Sequence, residues 1–169
     1  SVTQRYDSEY PPLVVEVWGD AALFTRPEAK VERLTYPVMT PSAAVGILEA
    51  IFWKPEFIWQ VVAIEVLAPI REGRVRRNET THVVSREGAL RGERVNTADN
   101  RTQRASTILL NVRYRIHAQV VLRPHATDTV AKYRDQFRRR VERGACFSRP
   151  YLGTREFPAS FGVPSGVAP

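Results

Sequence analysis

The sequence predicts an α+β domain of ferredoxin-like (RRM-like) type, its elements running strand, helix, strand, strand, helix, strand. Three observations carry this expectation. Two segments space apolar residues for one helical face and are bounded by start and stop signals. Runs rich in Val, Ile, Phe and Trp flank them. Residues 112–120 alternate apolar and polar with the two-residue period of a half-buried strand. At 169 residues the whole chain, 1–169, fits a single domain with a core large enough to fold without staples.

Residues 13–18 (LVVEVW) form the first strand, ending at Gly19-Asp20, and 31–36 a further extended piece. Thr40 can cap the first helix and Pro41 occupies its first position, where a missing N–H costs nothing. Ala44, Ile47, Leu48 and Ile51 give the helix its apolar stripe, and Pro55 closes it. A strand is expected over 57–70. Residues 80–103 (TTHVVSREGALRGERVNTADNRTQ) hold no sustained period and many polar residues and glycines, so they read as a long mobile loop. The next strand, 106–122, puts Val112, Tyr114, Ile116, Ala118 and Val120 on one face and Arg113, Arg115, His117 and Gln119 on the other. The second helix spans 128–143, with Thr127 or Asp128 as cap and Gly144 at its left-handed end. Val130, Tyr133 or Arg134, Phe137 and Val141 mark its buried face. Residues 146–161 return a last strand to the sheet.

Charge narrows the function classes. The formal net charge is +7, and 22 of the 25 basic residues are arginine. A guanidinium offers a planar fork of donors that suits phosphate and stacks on bases. Positions 71–115 hold 11 basic residues against 5 acids, and 132–155 hold 8 against 2, so an anionic polymer is the expected partner. Arg76, Arg77, Arg104, Arg138, Arg139, Arg140 and Arg155 are the candidate phosphate contacts, and Gly153 in LGTREF could let the backbone approach RNA or simply make a turn. Cys146 stands alone and three histidines are scattered, so neither a disulfide framework nor a metal or other cofactor is expected. The most apolar run is broken by Gln60 and Glu65, which argues against a membrane span, and the N-terminus carries no secretory pattern, which points to the cytoplasm. Trp53 and Trp59, beside apolar runs, read as core, with stacking on bases as the alternative.

Several ordered blocks are more specific. VWGDAALFTRPEAKVERLTYPVMTPSAAVGILEAIFWKP (17–55), RRNE (76–79), QRAS (103–106) and FRRRVERGACFSRPYLGTREFPASF (137–161) resemble, in that order, the type I-C endoribonuclease of the CRISPR-associated RAMP superfamily. Family members usually continue with further β structure, so a C-terminal β extension is expected to be absent or incomplete here. The resemblance implies a protein that cuts the repeat hairpin of CRISPR precursor RNA without a metal. It then stays on the 5′ handle alongside other subunits of a type I-C surveillance complex. The implied chemistry is attack of a ribose 2′-OH on the adjacent phosphate. This needs a base, a cation for the phosphorane and a proton for the leaving oxygen. The family's tyrosine in I-Y-W-K-P and its Lys-His pair fall on Phe52, Lys132 and Tyr133. Lysine is retained; the other two positions depart, and a phenol with a reference pKa of about 10 is a poor base at neutral pH. His117, on the polar face of its strand, is an alternative base or an ordinary half-exposed histidine. A subunit that only caps the 5′ handle, and a general nucleic-acid binder with some non-specific DNA affinity, are the competing expectations.

Overall fold

The computed structural model describes residues 10–27, 33–80 and 101–165. The elements are β1 (Leu13–Ala22), α1 (Pro41–Ile51), β2 (Phe57–Val66), β3 (Glu72–Thr80), β4 (Arg101–Leu122), α2 (Val130–Arg143) and β5 (Ser160–Gly162). The antiparallel sheet has the order β2-β4-β1-β5, and β3 pairs with the far end of β4. Without β3 this is the expected ferredoxin-like arrangement.

β4 organises the sheet. Its C-terminal half lies between β1 and β2, with Glu16 and Glu65 both in register with Arg115. Its N-terminal part pairs with β3 in a two-stranded ribbon running from Glu72↔Leu109 to Thr80↔Arg101. Asn111 sits at the changeover with φ 49°, a left-handed conformation that asparagine tolerates better than most residues. The alternation along β4 is as expected. Val112, Tyr114, Ile116, Ala118 and Val120 are buried, whereas Arg113, Arg115 and His117 are half-buried on the other face. Gln119 departs from this pattern: it is buried, its amide donating to Tyr10 O at 3.0 Å.

The helices close the core over the apolar face. Thr40 caps α1 by accepting from the Ala43 N–H, and Ala44, Ile47, Leu48 and Ile51 are its buried residues. α2 buries Tyr133, Arg134, Phe137 and Val141, so positions 133 and 134 both turn inward. Gly144 ends α2 at φ 67°, returning its N–H to Arg140 O and Val141 O.

Several boundaries differ from expectation. β1 continues through Gly19-Asp20 to Ala22 because β4 pairs along its whole length. Residues 33–36 form only isolated bridges, Thr25↔Thr35 and Arg33↔Ser106, and the rest of the 31–36 piece lies outside the described residues. β2 stops at Val66, before the Ala68-Pro69 turn, because proline has no N–H to extend the ladder. Thr80 and residues 101–103, expected in a loop, lie in β3 and β4; 81–100 fall outside the described residues. Thr129 rather than Thr127 or Asp128 caps α2, accepting from the Lys132 N–H at 3.3 Å. The last strand is only Ser160–Gly162.

Candidate nucleic-acid interface

Two of the three carried-over positions lie at one corner of the core. Phe52 caps the C-terminal end of α1 and is 1% exposed, its carbonyl accepting from Trp59 Nε1 at 2.8 Å. Its ring centre lies 5.6 Å from that of Phe57, which in turn lies 5.0 Å from Tyr133. One ring, Phe57, thus joins Phe52 to Tyr133. Lys132 turns outward instead, with its side chain 57% exposed and Nζ 3.1 Å from Asp128 Oδ1.

Tyr133 is buried, and that burial pushes its phenol above the ordinary tyrosine pKa. Glu56 and Asp128 push the same way, against a backbone hydrogen bond at Asp128 and the charge of Lys132. The hydroxyl therefore keeps its proton at neutral pH and can act as a proton donor, not as a base. Glu56 was not a sequence candidate. It follows the Pro55 helix stop, and its buried Oε2 has no hydrogen-bond partner. Only the fold, which sets it beside Tyr133, singles it out.

The three consecutive arginines of α2 diverge, since successive helical residues turn by about 100°. Arg138 lies 3.9 Å from Asp135 Oδ1 and faces a separate groove beside Glu142. Arg139 and Arg140 join Arg143 and Lys54 around an open cleft of about 430 Å³, which Phe52 and Phe147 also line and no carboxylate enters. The Arg140 guanidinium carbon lies 4.0 Å from the Phe147 ring centre and 5.7 Å from that of Phe52. Phe147 is held by its N–H to Ala50 O at 2.7 Å, yet its ring is 54% exposed. Phe147 was not a sequence candidate either, because the contacts that hold it, to Ala50 and Phe52, are distant in sequence.

The other candidates do not converge on this corner. Arg76 is exposed on β3, and Arg77 and Arg104 are register partners in the β3–β4 ribbon. Arg155 is exposed in the loop before β5. Gly153 has φ +88°, and a Cβ there would come within 1.9 Å of Leu23 O, so the fold itself demands glycine. Gly153 also lines a cleft of about 780 Å³ with Tyr36, Tyr151 and the start of α1. His117 lies across the sheet from the helices and is bonded to Glu65. Around it Arg113 reaches Glu16 at 2.6 Å, and Arg115 reaches Glu16 at 3.5 Å and Glu65 at 3.7 Å. Trp59 is core, as expected, but Trp53 is 47% exposed because it follows the end of α1. Among the described residues no group of three His, Cys, Asp or Glu side chains could hold a metal ion. No helix among them is long and apolar enough to cross a membrane.

Comparison with known proteins agrees with the sequence resemblance. The family described as CRISPR-associated protein (Cas_Cas5), subtype Cas5d, matches residues 12–164. A protein of Thermus thermophilus named CRISPR pre-crRNA endoribonuclease Cas5d is 52% identical over 157 residues, covering 93% of this chain and 66% of the relative. One of the same name from Mannheimia succiniciproducens is 45% identical over 159 residues, covering 88% of this chain and 71% of the relative. The chain thus spans about two thirds of the length of these relatives. Among solved structures, a CRISPR-associated protein superposes with TM-score 0.63 at 24% identity, over 92% of this chain and 69% of that one. A functionally uncharacterized protein of Streptococcus mutans superposes with TM-score 0.61 at 21% identity, with the same coverage. These two likenesses bear on the fold, and the family match runs from the first residues of β1 past the end of β5: the chain belongs to the Cas5d family of CRISPR-associated proteins.

Proposed function

We propose that this chain binds CRISPR repeat RNA and cuts it by metal-independent attack of a ribose 2′-OH on the neighbouring phosphate. It then remains on the 5′ handle of the product as a subunit of a type I-C surveillance complex. The observation that carries the reading is a cleft lined by four cations and by Phe52, whose ring is joined through Phe57 to Tyr133, the neighbour of the exposed Lys132. In this scheme Lys132 neutralises the phosphorane, and Tyr133, kept protonated, is the available donor to the leaving 5′ oxygen. Phe52 takes no part in proton transfer, so the 2′-OH has a weak base or none and cleavage is slow. The chain works in the cytoplasm, where the transcript is made, and forms one domain over 1–169. Arg76, Arg77, Arg104 and Arg155 supply further phosphate contacts, and Gly153, which lines the cleft at the start of α1, lets the backbone approach RNA there.

A second reading, a subunit that only binds the handle, is favoured by one observation: Tyr133 is 1% exposed and keeps its proton. Incubating the protein with its cognate repeat RNA in EDTA and mapping the product ends separates the two. A 2′,3′-cyclic phosphate with a 5′-OH at one position in the repeat supports cleavage. Tight binding with intact RNA leaves the handle-binding reading.

A further inference from the structure

The cleft at the C-terminal end of α2 has a composition that phosphate binding alone does not explain. Lys54, Arg139, Arg140 and Arg143 line it, and none of them is paired with a carboxylate among the described residues. Four cations would suffice for phosphates. The exposed Phe147 adds something different, a flat apolar face beside the cations on which a base can stack. Arg140 already lies 4.0 Å from the centre of that ring, and its Nη1 reaches Ile51 O at 3.5 Å. These two contacts hold the guanidinium beside the ring. The platform is held from behind, since the Phe147 N–H is anchored on Ala50 O and its ring centre lies 6.2 Å from that of Phe52. An acidic peptide could supply charge to such a cleft but not a flat partner for the ring. An unpaired nucleotide supplies both.

We propose that this cleft is a stacking subsite for one unpaired nucleotide of the RNA strand. Its base lies against the open side of the Phe147–Arg140 stack, and its flanking phosphates sit on Arg139, Arg143 and Lys54. The proposal rests on the RNA-binding reading above and adds to it where a base is held and by which side chains. Since Phe52 lines the same cleft, the held nucleotide lies next to the carried-over site. Phe147 and Arg140 therefore position the strand and do no chemistry themselves.

The test compares an oligouridylate with an abasic strand of the same length and backbone. The unaltered protein binds the oligouridylate more tightly, by roughly five- to a hundredfold, the range that stacking one base contributes. Phe147→Leu removes most of that preference and leaves the abasic affinity within about twofold. Arg140→Lys, which keeps the charge and loses the plane, removes part of it. A 4-thiouridine oligonucleotide irradiated on the unaltered protein, which needs no variant to fold, crosslinks to the peptide carrying Phe147. Equal affinity for the two strands, or crosslinks confined to the β3–β4 ribbon, overturns the subsite while leaving RNA binding intact. Failure of the unaltered protein to bind repeat RNA overturns the underlying reading as well. Displacement of the oligouridylate by oligoglutamate but not by the abasic strand assigns the cleft to an acidic protein segment and also overturns the proposal.

Discussion

The arginines of β4 and those of α2 are equally prominent in the sequence, yet their surroundings differ. On the outer face of the sheet Arg113 and Arg115 share the carboxylate of Glu16, whose side chain is only 3% exposed, and Arg115 also reaches Glu65. Ser165 Oγ donates to the same Glu16 carboxylate at 3.0 Å. At the C-terminal end of α2, Arg139, Arg140 and Arg143 have no carboxylate partner among the described residues and surround an open cleft. A positive residue becomes a polyanion contact when its charge is left unmatched, so a count of arginines overstates the binding surface. Lys132 is intermediate, tied to Asp128 but more than half exposed. An exposed pair of this kind is worth little, so a phosphate can displace the carboxylate.

Lys132 tests the comparison most severely. Lys132→Ala should slow single-turnover cleavage of repeat RNA about 100-fold or more, because the cation is wanted chiefly in the transition state. Affinity should change by less than about threefold. Parallel losses in rate and affinity would make Lys132 an ordinary phosphate contact like those of the cleft.

The two arginine sets should then fail in different ways. Arg139→Gln, Arg140→Gln and Arg143→Gln together should reduce the slope of log affinity against log salt by about 2, taking ~0.7 per single-strand phosphate contact. Arg113→Gln with Arg115→Gln should leave that slope unchanged and lower unfolding free energy by about 2–3 kcal/mol, since Glu16 would be buried without a cation. The figure lies below the ~3–5 kcal/mol of a fully buried pair because Arg113 is 40% exposed. Salt titrations and urea melts of both variants would show it; a large salt effect from the β4 pair would break the comparison.

What the sequence makes legible follows the same division between local and distant causes. α1 is readable because its cap, its first-position proline and its stripe are all local signals, and each of Ala44, Ile47, Leu48 and Ile51 is buried. The faces of β4 are readable from alternation alone. The start of α2 is ambiguous because Thr127, Asp128 and Thr129 are all good caps, and the structure uses Thr129. β3 (EGRVRRNET) gives no strand signal, since its polar sequence offers no apolar face and the strand exists through pairing with β4. The positions of Phe52, Lys132 and Tyr133 come from resemblance, and the link from Phe52 through Phe57 to Tyr133 from the fold. Glu56 matters through Tyr133, far along the chain, and Phe147 through its anchor on Ala50 and its packing near Phe52, which no local pattern can show.

Alkali tests whether the charged network or the core fails first. Burial pushes Tyr114 from 10.0 up to about 12, against a backbone hydrogen bond at Met39, and Tyr133 is raised as well. A phenol whose folded pKa exceeds its unfolded value stabilises fully below the unfolded pKa and loses that contribution as pH rises toward the folded one. Stability should therefore fall between about pH 10 and 12, by up to roughly 2–3 kcal/mol from Tyr114. The arginines of β4 remain charged throughout that range. Tyr114→Phe should flatten the alkaline limb of a thermal-unfolding pH series, whereas Arg113→Gln with Arg115→Gln should lower the curve from neutral pH to the alkaline end without changing the shape of that limb. An unchanged limb in Tyr114→Phe would assign the alkaline loss elsewhere.

The smallest expected effect probes the charge matching most directly. Glu65 is the exposed member of the β4 network, at 44%, and it holds both Arg115 and His117. Glu65→Gln should cost less than about 1 kcal/mol, since water already screens that carboxylate and Glu16 still partners Arg115. The same change releases part of the Arg115 charge toward solvent. If matching is what keeps this face from binding polyanions, affinity for RNA should rise by about two- to threefold at low salt, and the gain should vanish at high salt. The sign decides the matter more than the size does. A rise identifies the β4 face as a neutralised copy of the surface that α2 leaves open. A fall would mean that Glu65 holds Arg115 and His117 in an orientation that RNA itself uses, and the outer face of the sheet would then belong to the interface.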